Sequence, residues 1–273
     1  MPLSLTLRNN SPLPIEVEHI LPEAVRSLTL PEIERLPILF GNGRTPLAEH
    51  FQIQGSAAED LTLVWHGDCH TVKRIGTALT TGTIRVEGNA GMHLGSEMRG
   101  GEIIVEGDSG DWTGAEMHGG CITIRGRAGD LLGAVYRGGP KGMTGGEIFV
   151  HGDAGDEVGH TMRRGLIAIG GNAGMLLGCH MIAGTIFVGG HCGPRPGAGM
   201  KRGTIVLQGT ETPRPLSSFR LATTHVPTFL RPYWKHLQER GFSVGAAGDA
   251  RFRHFCGDSL ALGQGDLLLR DSH

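Results

Sequence analysis

From Gly82 to Gly209 the chain repeats one short phrase, and that period constrains its possible folds more than any other feature. Each phrase opens on a glycine followed two residues later by an isoleucine: Ile84, Ile103, Ile122, Ile148, Ile167, Ile186 and Ile205, at steps of 19, 19, 26, 19, 19 and 19. The long step is 19 plus 7, and Gly139-Pro140-Lys141-Gly142-Met143-Thr144-Gly145 reads as the insert. A fixed period near twenty residues is the signature of stacked units.

The two halves of the phrase make different physical demands. In the first, apolar residues alternate (Ile84 and Val86, Ile103 and Val105, through Ile205 and Leu207), which predicts a strand with one buried side. In the second, six phrases carry Gly-x-x-Gly-x-x-x-Gly, beginning at Gly88, Gly107, Gly126, Gly152, Gly171 and Gly190. Glycines at fixed offsets mark corners. The expected fold is all-β: a single-stack β-helix (β-solenoid) of about seven to eight 19-residue coils with small α/β caps at both ends. The expected division is 1–60 as N-terminal cap, 61–209 as β-helix, and 210–273 as a C-terminal extension with one helix and a terminal strand. Within it, the run Leu61 to Trp65 reads as part of a degenerate first coil, because Gly67 and Gly76 stand where Gly88 and Gly95 stand later, two residues further apart.

Glycine is 46 of 273 residues, against roughly 7% in average usage, but the excess is periodic and so is not low complexity. A net charge of -2 argues against nucleic acid or membranes as partners. The five cysteines form no Cys-x-x-Cys, which fits a reducing cytoplasm with free thiols.

Two surface features stand out. The outward strand position runs Arg85, Ile104, Thr123, Phe149, Ala168, Phe187, Val206. The later members, Phe149, Ala168, Phe187 and Val206, form an apolar stripe suited to a partner interface, or to cover by the chain's own helix over Pro227 to Arg240. The second feature is a ladder before each phrase boundary. Met98, Met117, Tyr136, Met162, Met181 and Met200 take the buried phase, followed by Arg99, His118, Arg137, Arg163, Ile182 and Lys201, with Arg164 and Arg202 adjacent. Such a row suits a linear polyanion, or is a solvated ridge that protects an edge.

Ligand-type residues in His66-Gly67-Asp68-Cys69-His70, and His160 with Cys179, fall short of the three or four that a zinc site needs. No nucleophile motif of the Gly-x-Ser-x-Gly kind occurs. The reading is a scaffold, with no catalytic residues and no metal in this chain.

The glycine phrases resemble the C-terminal β-helix domain of the glutamate synthase large subunit. A closer resemblance, over nearly the whole chain, is to the C-type subunit of formylmethanofuran dehydrogenase. Its carriers are Gly88 to Gly101, the insert-bearing Gly126 to Gly146, and His151 to Gly159. The resemblance implies a subunit without its own active site, beside amidohydrolase-like and formyltransferase subunits. Two assemblies are implied. One is a molybdenum or tungsten dehydrogenase. The other is a formyltransferase/hydrolase complex that moves a formyl group from tetrahydromethanopterin to a methanofuran-type carrier and releases formate. The excess of arginine over lysine favours the second. The implied carrier bears a chain of glutamates, a polyanion for Arg99, His118, Arg137, Arg163, Arg164, Lys201 and Arg202. Metal would then sit only in partner subunits. A free-standing ligand-binding solenoid and a detached glutamate-synthase-type domain are the alternatives.

Overall fold

A β-branched residue at every second position holds a strand extended and gives it one apolar face. The phrase does this six times and ends on a seventh pair, Ile205 and Leu207. The computed structural model describes residues 2–211, 213–242 and 249–271. The chain opens with β1 (Leu3–Leu7), β2 (Ile15–Glu16), α1 (Pro22–Val25) and α2 (Leu30–Glu34). Next come β3 (Pro37–Phe40), β4 (Gly43–Pro46), α3 (Leu47–His50), β5 (Phe51–Gln54), β6 (Thr62–His66) and β7 (Val72–Lys73). The phrase supplies β8 (Thr83–Glu87), β9 (Glu102–Val105), β10 (Cys121–Ile124), β11 (Glu147–Val150), β12 (Leu166–Ile169), β13 (Thr185–Val188) and β14 (Arg202–Leu207). Beyond it lie β15 (Arg220–His225), a 3-10 turn (Thr228–Leu230), α4 (Arg231–Glu239), β16 (Phe252–Gly257) and β17 (Gln264–Arg270).

The expected single-stack β-helix with a cap at each end is corrected by the sheet topology. The strands form one 13-stranded mixed sheet, ordered β15-β16-β17-β14-β13-β12-β11-β10-β9-β8-β6-β1-β5, and a four-stranded sheet, β4-β3-β2-β7. Two physical causes account for the difference. The glycine half of the phrase has no run of alternating apolar residues, and it pairs only through isolated bridges from Cys69 to Ala90, Ser109, Ala128, Ala154, Ala173 and Cys192. The terminal segments also extend the main sheet instead of closing its ends: β1 pairs parallel with β6, and β17 pairs parallel with β14. β5 and the antiparallel pair β15–β16 lie outside them.

One period advances the chain one strand. Ile84 lies opposite Ile103, then Ile122, Ile148, Ile167, Ile186 and Ile205, and all seven are fully buried. Gly95 shows why the corners need glycine: its φ is +60°, and an added Cβ would lie 2.6 Å from the Ile122 Cδ1. The column recurs because Gly114 and Gly133 meet the isoleucines Ile148 and Ile167 in the same way.

The sheet carries an apolar layer along its inner face and a second one over part of its outer face. The inner face carries the isoleucine column, the β6 residues Leu63 and Trp65, and the N-terminal Leu3, Leu5 and Phe51. The outer face of β11 to β14 and β17 lies under α4, whose Trp234 and Leu237 join Phe149, Phe187, Val206 and Leu268 in a second apolar cluster. Among the described residues, no helix is long and apolar enough to cross a membrane.

Candidate functional site

The residue that follows each buried methionine has its backbone fixed by a bond to the preceding period. Arg99 donates its N–H to Leu79, His118 to Met98, Thr144 to Met117, Arg163 to Met143, Ile182 to Met162 and Lys201 to Met181, at 2.7 to 2.8 Å. Strands stack about 4.8 Å apart, so Arg99 and His118 stand one step apart. Arg163 and Lys201 follow at intervals of about 10 Å, and Arg164 and Arg202 widen the row. All six of these cations are exposed. The imidazole of His118 is held by Thr144 at 2.7 Å through Nδ1, and Arg202 Nε donates to Gln264 at 2.9 Å.

Arg137 does not belong to this row, and Tyr136 does not belong to the methionine column. Met143 takes the column position, fully buried, and Thr144 takes the outward one. The backbone bonds from Val135 to His160 and from Gly142 to Thr161 place the seven extra residues at 136–142, earlier than the spacing suggests. The reason is packing. A tyrosine hydroxyl needs a partner when buried, and a methionine in that column needs none.

The Tyr136 hydroxyl finds its partner in His93 Nδ1 at 2.9 Å, and the Tyr136 ring stacks on Trp112 with centroids 6.4 Å apart. His93 and Trp112 are also stacked, at 5.6 Å. Burial, with Arg74 and Lys73 nearby, pushes the His93 pKa down, so the ring is neutral at pH 7. Burial likewise pushes the Tyr136 hydroxyl up. Together the insert and Trp112 wall a hollow of ≈ 390 Å³ that also contains Arg137 and the Glu157–His160 pair, 2.6 Å apart.

The predicted interface residues Phe149, Ala168, Phe187 and Val206 are buried beneath α4, at 2%, 0%, 0% and 0% exposure. Of the two arrangements open in the sequence, cover by the chain's own helix is the one present. Trp234 packs edge-on against Phe187 at 4.9 Å, and Glu147 ties the helix down through His236 at 2.6 Å and Arg240 at 3.3 Å.

Cys69 and Cys192 face the core, and burial raises both thiols to about 12. His66 pairs with Glu87 at 2.8 Å and His70 with Asp68 at 3.1 Å, so the His66 to His70 run does not converge. The one group of three metal-type donors found among the described residues is His254, Cys256 and Asp266, which no reading of local motifs singles out. A signal is present all the same: His-x-Cys puts two ligands on one strand face, and a turn returns an aspartate opposite.

Fold and edge together define a class: a sheet-forming chain built on a 19-residue glycine phrase, with a cation-studded edge and a helix-covered outer face. No family model matches the chain. The C-type subunit of the tungsten-containing formylmethanofuran dehydrogenase 2 of Methanothermobacter marburgensis is 39% identical over 95 residues, 34% of this chain and 35% of that protein. The C-type subunit of the molybdenum-containing formylmethanofuran dehydrogenase 1 of the same organism is 42% identical over 91 residues, 33% of this chain and 23% of that protein. These matches span about a third or less of the relatives' length. A chain of the formyltransferase/hydrolase complex (FhcABCD) from Methylorubrum extorquens, whose crystal structure contains methylofuran, matches with a TM-score of 0.92. It is 34% identical, and the match covers 98% of this chain and 99% of that chain. The chain described here therefore belongs to the family that joins the C-type subunit of formylmethanofuran dehydrogenase with the formyltransferase/hydrolase complex.

Proposed function

We propose that this chain is a scaffold subunit of a formyltransferase/hydrolase complex. In that role it supports partner subunits, amidohydrolase-like and formyltransferase, that move a formyl group from formyl-tetrahydromethanopterin to a methanofuran-type carrier and release formate. The observation that carries the reading is the end-to-end match to a chain of FhcABCD, a complex whose structure contains methylofuran. Catalysis and any catalytic metal belong to the partners, and the assembly works in the cytoplasm, in keeping with five free cysteines. A second reading, the C-type subunit of a tungsten or molybdenum dehydrogenase, has local identity of 39% and 42% in its favour but only partial coverage.

Within this function the row of Arg99, His118, Arg163, Arg164, Lys201 and Arg202 guides the glutamate chain of the carrier, and Arg137 contributes from the insert. The in-register cations at roughly strand multiples support this, as does their exposure.

A tagged chain is pulled down from its native cells, and the eluate is assayed for formate release from formyl-tetrahydromethanopterin with added carrier. Beside it runs an Arg99→Ala, Arg163→Ala, Lys201→Ala variant. Exposed ion pairs contribute about 0.2–1 kcal/mol each, so losing three of them should raise the apparent carrier KM by roughly 3- to 150-fold. Complex composition and kcat should stay unchanged. A wild-type chain that elutes alone and inactive rejects the complex; an unchanged KM rejects the guide.

A further inference from the structure

The C-terminal hairpin carries a cluster that neither the sheet core nor the basic edge uses. His254 and Cys256 stand at i and i+2 on β16 and share a face, and the antiparallel register sets Cys256 directly opposite Asp266 on β17. His254 Nε2 lies 2.7 Å from Asp266 Oδ1 and 4.0 Å from Cys256 Sγ. One donor atom from each residue falls within 4.8 Å of the other two. The site is half sheltered: the side chains of His254 and Asp266 are 16% and 37% exposed. On the same face, Phe252 and Leu268 continue into the apolar layer under α4.

Two chemistries compete for a thiol, an imidazole and a carboxylate. A nucleophilic relay places the thiol and the carboxylate on opposite ring nitrogens, so that the carboxylate orients the imidazole that takes the thiol proton. Here both address the same nitrogen, Nε2. Three donors converging on one point is the geometry of a chelate. A sulfur, nitrogen and oxygen set suits a borderline-soft divalent ion and is a poor match for magnesium or calcium, which take oxygen ligands. Bonds of about 2.0–2.3 Å in a tetrahedral site hold ligand atoms about 3.3–3.7 Å apart. The sulfur-to-nitrogen distance is within a few tenths of that range, and a turn of the Asp266 carboxylate about its own side chain opens the shorter contact.

A fourth group lies beside the three. The His225 ring on β15 is 5.5 Å from that of His254, centroid to centroid, and its Nδ1 is buried without a hydrogen-bond partner among the described residues. A buried ring nitrogen without a partner is costly unless something fills the space it faces.

We propose that His254, Cys256 and Asp266 form a mononuclear site for a Zn²⁺-class divalent cation, with His225 or a water molecule completing a four-coordinate shell. The ion ties β16 to β17, and through His225 to β15, at the edge of the sheet where three strands lie outside the glycine phrase. This site is in addition to any metal held by partner subunits.

The test uses the full chain, stripped with a chelator and then titrated with Zn²⁺ against a chromophoric competitor and with Co²⁺ followed by absorption. The expected result is one equivalent of metal. Co²⁺ should give a thiolate-to-metal charge-transfer band and the intense visible bands of a four-coordinate ion. Cys256→Ser should abolish the charge-transfer band and weaken Zn²⁺ binding by about 100-fold or more, since even outer-shell partners of a metal are worth 10- to 100-fold. Asp266→Asn, whose amide oxygen can still accept from His254, should weaken it at least 10-fold and, because the pair it alters is partly exposed, shift the melting temperature of the stripped chain by no more than about 4 °C. The site is overturned if Co²⁺ gives no charge-transfer band, or if Asp266→Asn binds Zn²⁺ as wild type does.

Discussion

At the scale of single residues, the corners of the phrase are built from left-handed backbone, and glycine supplies only part of it. His93, Trp112, Leu131, Glu157, Leu176 and Arg195 form one column with φ between +55° and +64°, and Glu97, Glu116, Thr161 and His180 form part of a second. Each costs about 1–2 kcal/mol relative to glycine. The cost is offset because each N–H in the first column from His93 to Leu176 bonds a carbonyl in the next period, as from His93 to Asp111 and from Trp112 to Asp130. Side chains can therefore replace glycine where the added Cβ has room, but not at Gly95. There φ is +60° and the Cβ would lie 2.6 Å from Ile122 Cδ1. Gly95→Ala should destabilise by about 2–5 kcal/mol, the left-handed cost plus overpacking. Glu97→Ala, left-handed at an exposed side chain, should change stability by less than about 0.5 kcal/mol. Chemical denaturation of both variants checks this; equal midpoints would mean that the corner relaxes around a Cβ.

At the scale of elements, what is legible in the sequence is what its period carries. The alternation places every strand from β8 to β14 and its pairing, and the helix expected over Pro227 to Arg240 is found as the 3-10 turn and α4. Spacing alone misplaces the insert, because Tyr136 and Met143 both fit an apolar column. The hydroxyl bond of Tyr136 to His93, 43 residues away, is a tertiary fact that no local pattern encodes. The ends look like caps for a similar reason: β16 and β17 lack the alternation of the phrase, and only their long-range register shows that they continue the sheet. The metal-type cluster sits on that register and is invisible without it. The α4 face illustrates the opposite case, since its apolar residues announce a buried side and the stripe Phe149, Phe187, Val206 announces its seat. Trp234→Ala removes the ring packed at 4.9 Å on Phe187 and should cost about 3–5 kcal/mol. It should also expose the stripe, seen as new binding of a hydrophobic dye. A variant with wild-type melting and no dye binding would show that α4 is not what seals the outer face.

At the scale of the whole molecule, the main sheet joins two kinds of strand pairing, and they should not be equally durable. From β8 to β14 every strand has a parallel neighbour on each side, an inner face filled by the isoleucine and methionine columns, and a corner stacked on the next corner. Opening any one of them breaks two ladders and empties part of a continuous core. β15 is the outermost strand of its edge. It carries a register shift between Leu221 and Thr223, and the side chains from Arg220 to Thr223 are exposed. Local opening free energies run from near zero at such edges up to the global value in the core. Amide hydrogen exchange should therefore be slowest in β9 to β12, intermediate in β14 and β17, and fastest in β15. Because the periods stack without a break, Gly114→Ala, which drives a Cβ to 2.5 Å from Ile148 Cδ1, should speed exchange in β10 and β11 together. Added Zn²⁺ should slow β15 to β17 alone, giving the two devices separate signatures in one experiment. Uniform protection from β15 to β9 would reject this ordering and make the sheet a single all-or-none unit, in which case the C-terminal strands would need no clasp to hold the edge.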